Sequence, residues 1–148
     1  MASSQVFPRL FTIAEANALL PDLRPVVERI FQRLDSLREK SETIIRAGRL
    51  SPSTPALMKR LQDDEAIACV IQEVKGLVEE INSYGCVSKG IEQGLVDFPC
   101  LLGGEIVFLC WRYGEESVGH WHRIEDGFAG RRPLLDAEEK GGGNVSYH

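Results

Sequence analysis

Between Ala16 and Ile44, apolar or small side chains recur in alternating steps of four and three: Ala16, Leu20, Leu23, Val27, Ile30, Leu34, Leu37, Ser41 and Ile44. Such a seam demands a long helix, and a surface to bury it, because a helix draws most of its stability from packing its apolar face. Leu19, Val26, Phe31 and Ile45 widen the seam beyond a strict coiled-coil stripe. Thr12-Ile-Ala-Glu15 reads as a capping box that starts the helix, and Gly48 as the glycine that ends it. Pro21 and Pro25 each remove a backbone donor, yet both fall off the seam on one side. They predict a bend with its prolines toward solvent; a break near Leu20, with Pro21 opening a new helix, is the alternative.

"GRLSPST" connects this helix to a second one, expected to open at Ser53 or Thr54 with Pro55 in its first position and to run to Tyr84-Gly85. Its second half carries Ile67, Val70, Ile71, Val74, Leu77, Val78, Ile81 and Tyr84 on one broad face. Asp63, Asp64 and Glu65 make its first half less obviously buried. So short a connector implies antiparallel neighbours, a helical hairpin over residues 12–84. At ~1.5 Å per residue the first helix would reach ~50 Å, more than a small sheet can cover. The surplus is expected to meet a second copy, making a homodimer through a four-helix bundle.

After Gly85 the apolar period changes to two. "LVDFPCLL" and "EIVFLCWRYG" flank Gly103-Gly104, a two-residue hairpin signal. "VGHWHRI" is a third expected strand, and the piece from Cys86 to Ile91 a candidate fourth. The fold class expected is therefore α+β: a long antiparallel helical hairpin followed by a three- or four-stranded antiparallel sheet spanning residues 86–134. Residues 1–135 are expected to form a single domain, and 136–148, acidic and then glycine-rich, a flexible tail.

With 148 residues, 43% hydrophobic and 26% charged, the chain has the composition of an ordinary soluble domain. A net charge of −5 disfavours nucleic acid as a partner, since that binding needs a positive field. No apolar run approaches the ~20 residues that span a bilayer, so no membrane is expected. Cys69, Cys86, Cys100 and Cys110 make no C-x-x-C pair, and the start shows no charged and then apolar leader. Free thiols in the cytoplasm are the expectation.

"LFTIAEANALLPDLRP", "GLVDFP", "LCWRYGE", "WH" and "GFAGRRPL" together resemble the bacterial family called domain of unknown function 2203. The resemblance runs from about Phe11 to Leu134 and implies no activity. The family's pattern carries the Trp121-His122 pair without requiring His120, so the resemblance implies that a two-histidine site would be peculiar to this chain.

Pairing across Gly103-Gly104 sets Leu102 opposite Glu105, Cys100 opposite Val107 and Asp97 opposite Cys110. Asp97 and Cys110 then share a face, flanked by Phe108 and Arg112. On the third strand His120 and His122 share one face and Trp121 takes the other. An even turn over Gly114 to Ser117, the commoner kind, places His120 opposite Trp111 and His122 opposite Leu109. An odd turn places His120 opposite Cys110 and makes a row Asp97–Cys110–His120.

That row would suit a divalent transition metal, with Glu125 or Asp126 in support. Its bland counterpart is a turn-forming aspartate, a buried thiol and solvated histidines. Gly114 followed by His120-x-His122 faintly echoes a cupin metal motif, but the chain lacks the strands for that barrel. A nucleophilic Cys110 paired with a histidine would need an exposed thiol, which "VFLCW" argues against. Arg131 and Arg132, after the flexible turn of Gly127 and Gly130, offer a fork to a carboxylate or phosphate, against a solvated loop paired with acids. Two function classes follow. The favoured one is a non-enzymatic oligomeric binding or scaffold protein associating through the hairpin. The other is a metal or small-anion site on the sheet, its catalytic status open, built from Asp97, Cys110, Glu115, His120, His122 and Arg131.

Overall fold

A computed structural model describes residues 7–48 and 55–134. The capping box forms as expected: Thr12 N–H donates to Glu15 Oε1 at 2.8 Å, and Glu15 N–H donates to Thr12 Oγ1 at 3.0 Å. Helix α1 then runs unbroken over Ile13–Gly48, 36 residues or ~54 Å. It passes through Pro21 and Pro25, both exposed, so the break near Leu20 does not occur. Its seam is fully buried only in the first half, at Ala16, Leu20, Leu23, Val27 and Ile30. From Leu34 onward the seam is half-buried, because the sheet packs against the first half alone.

The second expected helix is divided. Helix α2 covers Pro55–Asp63 and α3 covers Glu65–Ser83, with Asp64 extended between them (φ −80°, ψ 117°). Ile67 N–H donates to Asp64 Oδ1 at 3.0 Å. An aspartate satisfies an early helical donor better as a cap than inside a helix, which is why the single helix gives way here. The start expected at Ser53 or Thr54 lies outside the described residues. Helix α3 runs antiparallel to α1: Arg29 Nη2 meets Glu73 Oε2 at 2.8 Å, and Arg9 Nη1 donates to the Tyr84 carbonyl at 3.4 Å.

The sheet is antiparallel and ordered β1-β2-β3-β4, with β1 Leu95–Leu102, β2 Glu105–Arg112, β3 His120–His122 and β4 Arg132–Pro133. Gly103 (φ 58°) and Gly104 (φ 82°) make the tight turn, which sets Asp97 opposite Cys110 and Leu102 opposite Glu105 as expected. The fourth strand is not the piece from Cys86 to Ile91. That segment contributes one isolated bridge, Val87 to Asp97, and a 3-10 turn at Ile91–Gln93. Arg132–Pro133 instead pairs with β3 at the opposite edge.

One face of the sheet, with Val96, Phe98, Cys100, Val107, Leu109, Trp111 and Trp121, joins α1 and Ile81 of α3 in the core. The α+β architecture thus leaves a second, outer face carrying Asp97, Phe108, Cys110, His120 and His122. Among the described residues no helix is long and apolar enough to cross a membrane.

Candidate functional site

The turn between β2 and β3 adopts the odd register. Phe108 pairs with His122, Leu109 with Trp121 and Cys110 with His120, so the commoner even turn is not used. Local and tertiary bonds both hold this choice. Glu115 N–H donates to the Arg112 carbonyl at 3.0 Å, while Arg112 N–H donates to Glu115 Oε1 at 2.7 Å. Trp111 Nε1 donates to the Glu115 carbonyl at 3.0 Å. Two side chains on α1 finish the turn: Asn17 Oδ1 accepts from Val118 N–H at 2.7 Å, and Arg24 Nη2 donates to the Glu116 carbonyl at 2.7 Å.

Cα register alone makes Asp97–Cys110–His120 a row, but the side chains converge differently. Asp97, Cys110 and His122 bring one ligand atom each to within 4.8 Å of one another; among the described residues they are the group close enough to share an ion. His122, diagonal to Cys110 across β2 and β3, is 3% exposed, and Cys110 is 1% exposed. The His122 ring meets Phe108 edge-on, with centroids 5.6 Å apart. Its Nδ1–H donates to the Arg123 carbonyl at 2.7 Å, which assigns the proton to Nδ1, since a carbonyl only accepts. Nε2 therefore points at Asp97 Oδ1, 3.2 Å away.

Burial opposes a charge on His122, yet hydrogen bonding to Asp97, Cys110 and the Arg123 carbonyl outweighs it and raises the ring pKa to about 10. Without a metal, the ring is a cation against the Asp97 carboxylate. A nucleophile relay would need the two ring nitrogens to face the thiol and the acid separately. Here the Arg123 carbonyl takes Nδ1, so the acid and the thiol have no separate nitrogens to face, and the three donor atoms lie close enough together to share one ion. Burial pushes the Cys86 thiol up to about 12 and the Cys100 thiol to about 11, which keeps both from acting as thiolates near neutrality.

His120 belongs to a neighbouring cluster. Its Nδ1 is 3.7 Å from Glu115 Oε2, too long for a hydrogen bond, and is buried without a partner. Arg131 Nη2 pairs with Glu115 Oε1 at 2.6 Å, reaches the Cys110 carbonyl at 3.3 Å, and sets its guanidinium 4.9 Å from the Phe128 ring centroid. Burial works against the Glu115 charge, but the bonds from Arg131 and Arg112 hold its carboxyl below the usual range. Arg132 lies 5.4 Å from the Trp121 ring centroid. The two arginines therefore engage different partners and do not form one fork.

Asp97, Cys110 and His122 are among the residues that line a cavity of about 250 Å³. Leu95, Phe108, Ile124 and Phe128 supply apolar wall, and Lys89 a cationic edge. Lys89, Ile124 and Phe128 carried no signal as site residues in the sequence. Lys89 comes from the segment between α3 and β1, and Ile124 and Phe128 from the one between β3 and β4; only the fold brings these segments to one cavity.

A model of the family described as an uncharacterised conserved protein, DUF2203, matches residues 9–134. No curated protein and no solved structure matches the chain.

Proposed function

The chain belongs to the DUF2203 family, whose description assigns no activity, and we propose that it binds one divalent transition metal through Asp97 Oδ1, Cys110 Sγ and His122 Nε2. The observation that carries this reading is the aim of His122: its Nδ1–H is held by a backbone carbonyl while Nε2 faces Asp97 Oδ1 at 3.2 Å, in a group whose three donor atoms lie within 4.8 Å of one another. Metal-ligating histidines characteristically donate their second nitrogen in this way. Thiolate, imidazole and carboxylate together suit zinc, iron(II) or cobalt(II), and three protein ligands beside a cavity leave a position for an exogenous ligand. Binding requires neutral His122 and the Cys110 thiolate, so it releases protons and tightens as pH rises.

The test is titration of EDTA-treated protein with Zn²⁺ or Co²⁺. The expected result is one equivalent bound, with a thiolate-to-cobalt charge-transfer band for Co²⁺. Cys110→Ser and His122→Ala are expected to lose it, whereas Cys69→Ser, whose thiol is exposed and remote from the cluster, keeps it. Stoichiometric binding that survives both ligand substitutions would overturn the assignment, as would no binding by the wild-type chain.

A second, compatible reading is a homodimeric scaffold built on the distal half of the helices. It is favoured by seam residues Leu34, Leu37 and Ile44 that stay half-buried, and by Met58 of α2 and Ile71 of α3, which are 55% and 40% exposed. Light scattering is expected to give twice the chain mass, and Leu34→Glu with Leu37→Glu a monomer; a wild-type monomer refutes this reading. The net charge of −5 supports a role without nucleic acid, and the free cysteines support a reducing cytoplasm.

A further inference from the structure

The cavity beside the three donors has a composition that selects a ligand class. Once a divalent cation is bound, the Asp97 carboxylate and Cys110 thiolate cancel its two charges, and neutral His122 adds none. Among the residues lining the cavity, Lys89 then supplies the remaining positive charge. The rest of the lining is apolar apart from Lys89, with side chains from Leu95, Phe108, Ile124 and Phe128. At about 250 Å³ the space lies below the ~300–1,000 Å³ typical of drug-sized ligands.

We infer that the open metal position takes a small monocarboxylate with an apolar tail, of the size range from propionate to benzoate. Its carboxylate oxygen ligates the metal, Lys89 balances its charge, and its tail displaces water from the Phe108 and Phe128 walls. A dianion would leave uncompensated charge against apolar surface. A hydrophilic ligand would forgo the wall. This inference rests on the metal reading above.

The experiment uses the full chain loaded with Co²⁺ and follows its visible spectrum. The charge-transfer band in the absence of carboxylate reports the metal centre itself. Acetate, propionate, butyrate, benzoate and the neutral analogue butyramide are then titrated. Butyrate is expected to shift the ligand-field bands and to bind about 15-fold more tightly than acetate, since each buried methylene is worth about four-fold in affinity. Butyramide is expected to bind at least tenfold more weakly than butyrate, and Lys89→Gln to weaken butyrate by about tenfold.

A missing charge-transfer band overturns the metal reading. A normal band that carboxylates do not perturb overturns this inference alone. So does equal affinity for acetate and butyrate, for butyrate and butyramide, or for butyrate in the wild-type and Lys89→Gln proteins.

Discussion

Replacing Asp97 by asparagine tests whether metal-free His122 is held as a cation. The ring is 3% exposed and its pKa is raised from 6.5 to about 10, chiefly against the burial penalty by bonding to Asp97 and Cys110. A folded-state pKa above the unfolded value means stability that is fully present below pH 6.5 and is lost as pH rises through about 10. At 1.36 kcal/mol per unit, the raised pKa as a whole corresponds to up to about 4 kcal/mol at pH 7, and almost none above pH 10.5. The Asp97→Asn substitution keeps the shape but removes the charge. Burial is then opposed only by the bonds to Cys110 and the Arg123 carbonyl, so the His122 pKa falls back toward its unfolded value. The linkage shrinks, and the variant loses much less stability than the wild type as pH rises from 6.5 to 10.

The assay is urea unfolding of both proteins in EDTA between pH 6 and pH 10. Near pH 7 the variant should be less stable by about 2–4 kcal/mol, a midpoint shift of about 1–3 M urea. The gap should be widest at pH 6 and close to under about 1 kcal/mol at pH 10. Parallel pH profiles for the two proteins would refute an ionised His122–Asp97 pair, whatever the offset between them.

Three further outcomes follow from named contacts. Glu115→Ala leaves Arg131, whose side chain is 13% exposed, and the Arg112 N–H without their acceptor. It should cost about 2–4 kcal/mol, seen as a fall in calorimetric melting temperature of roughly 5–15 °C. Thr12→Ala removes one half of the capping box and should cost about 1 kcal/mol, with faster amide exchange confined to the first turn of α1. Gly94→Ala places a methyl at φ 78°, with its Cβ 2.8 Å from Phe31 Cζ and 3.0 Å from Tyr113 Cβ. It should cost about 1–3 kcal/mol and weaken the near-ultraviolet dichroism of the Phe31–Tyr113 edge pair, whose centroids lie 5.4 Å apart.

All three donors of the site were named from the sequence, but only two of them were grouped. Asp97 and Cys110 were placed together because a two-residue glycine turn leaves one register for the strands it joins. His122 was singled out with His120, and only side-chain geometry separates them: one reaches the Asp97–Cys110 pair, and the other faces Glu115. Lys89, Ile124 and Phe128 were invisible as partners, since nothing local marks a residue that a distant loop will fold over.

The sequence by itself determined the features whose bonds close within a few residues. The Thr12–Glu15 box, the limits of α1 and the β1–β2 register are of this kind. Tertiary structure decided what local chemistry leaves nearly balanced. Asp64 can sit in a helix or cap one, and it caps where α3 turns to pack on α1. The edge for a fourth strand went to Arg132–Pro133, which pairs with β3. The turn before β3 could close with either parity. Asn17 and Arg24 on α1, and Arg131 beyond the strand, bind its backbone and its Glu115 in the odd one. That single residue of register, set by side chains up to 101 positions away, turns His122 toward Asp97 and Cys110.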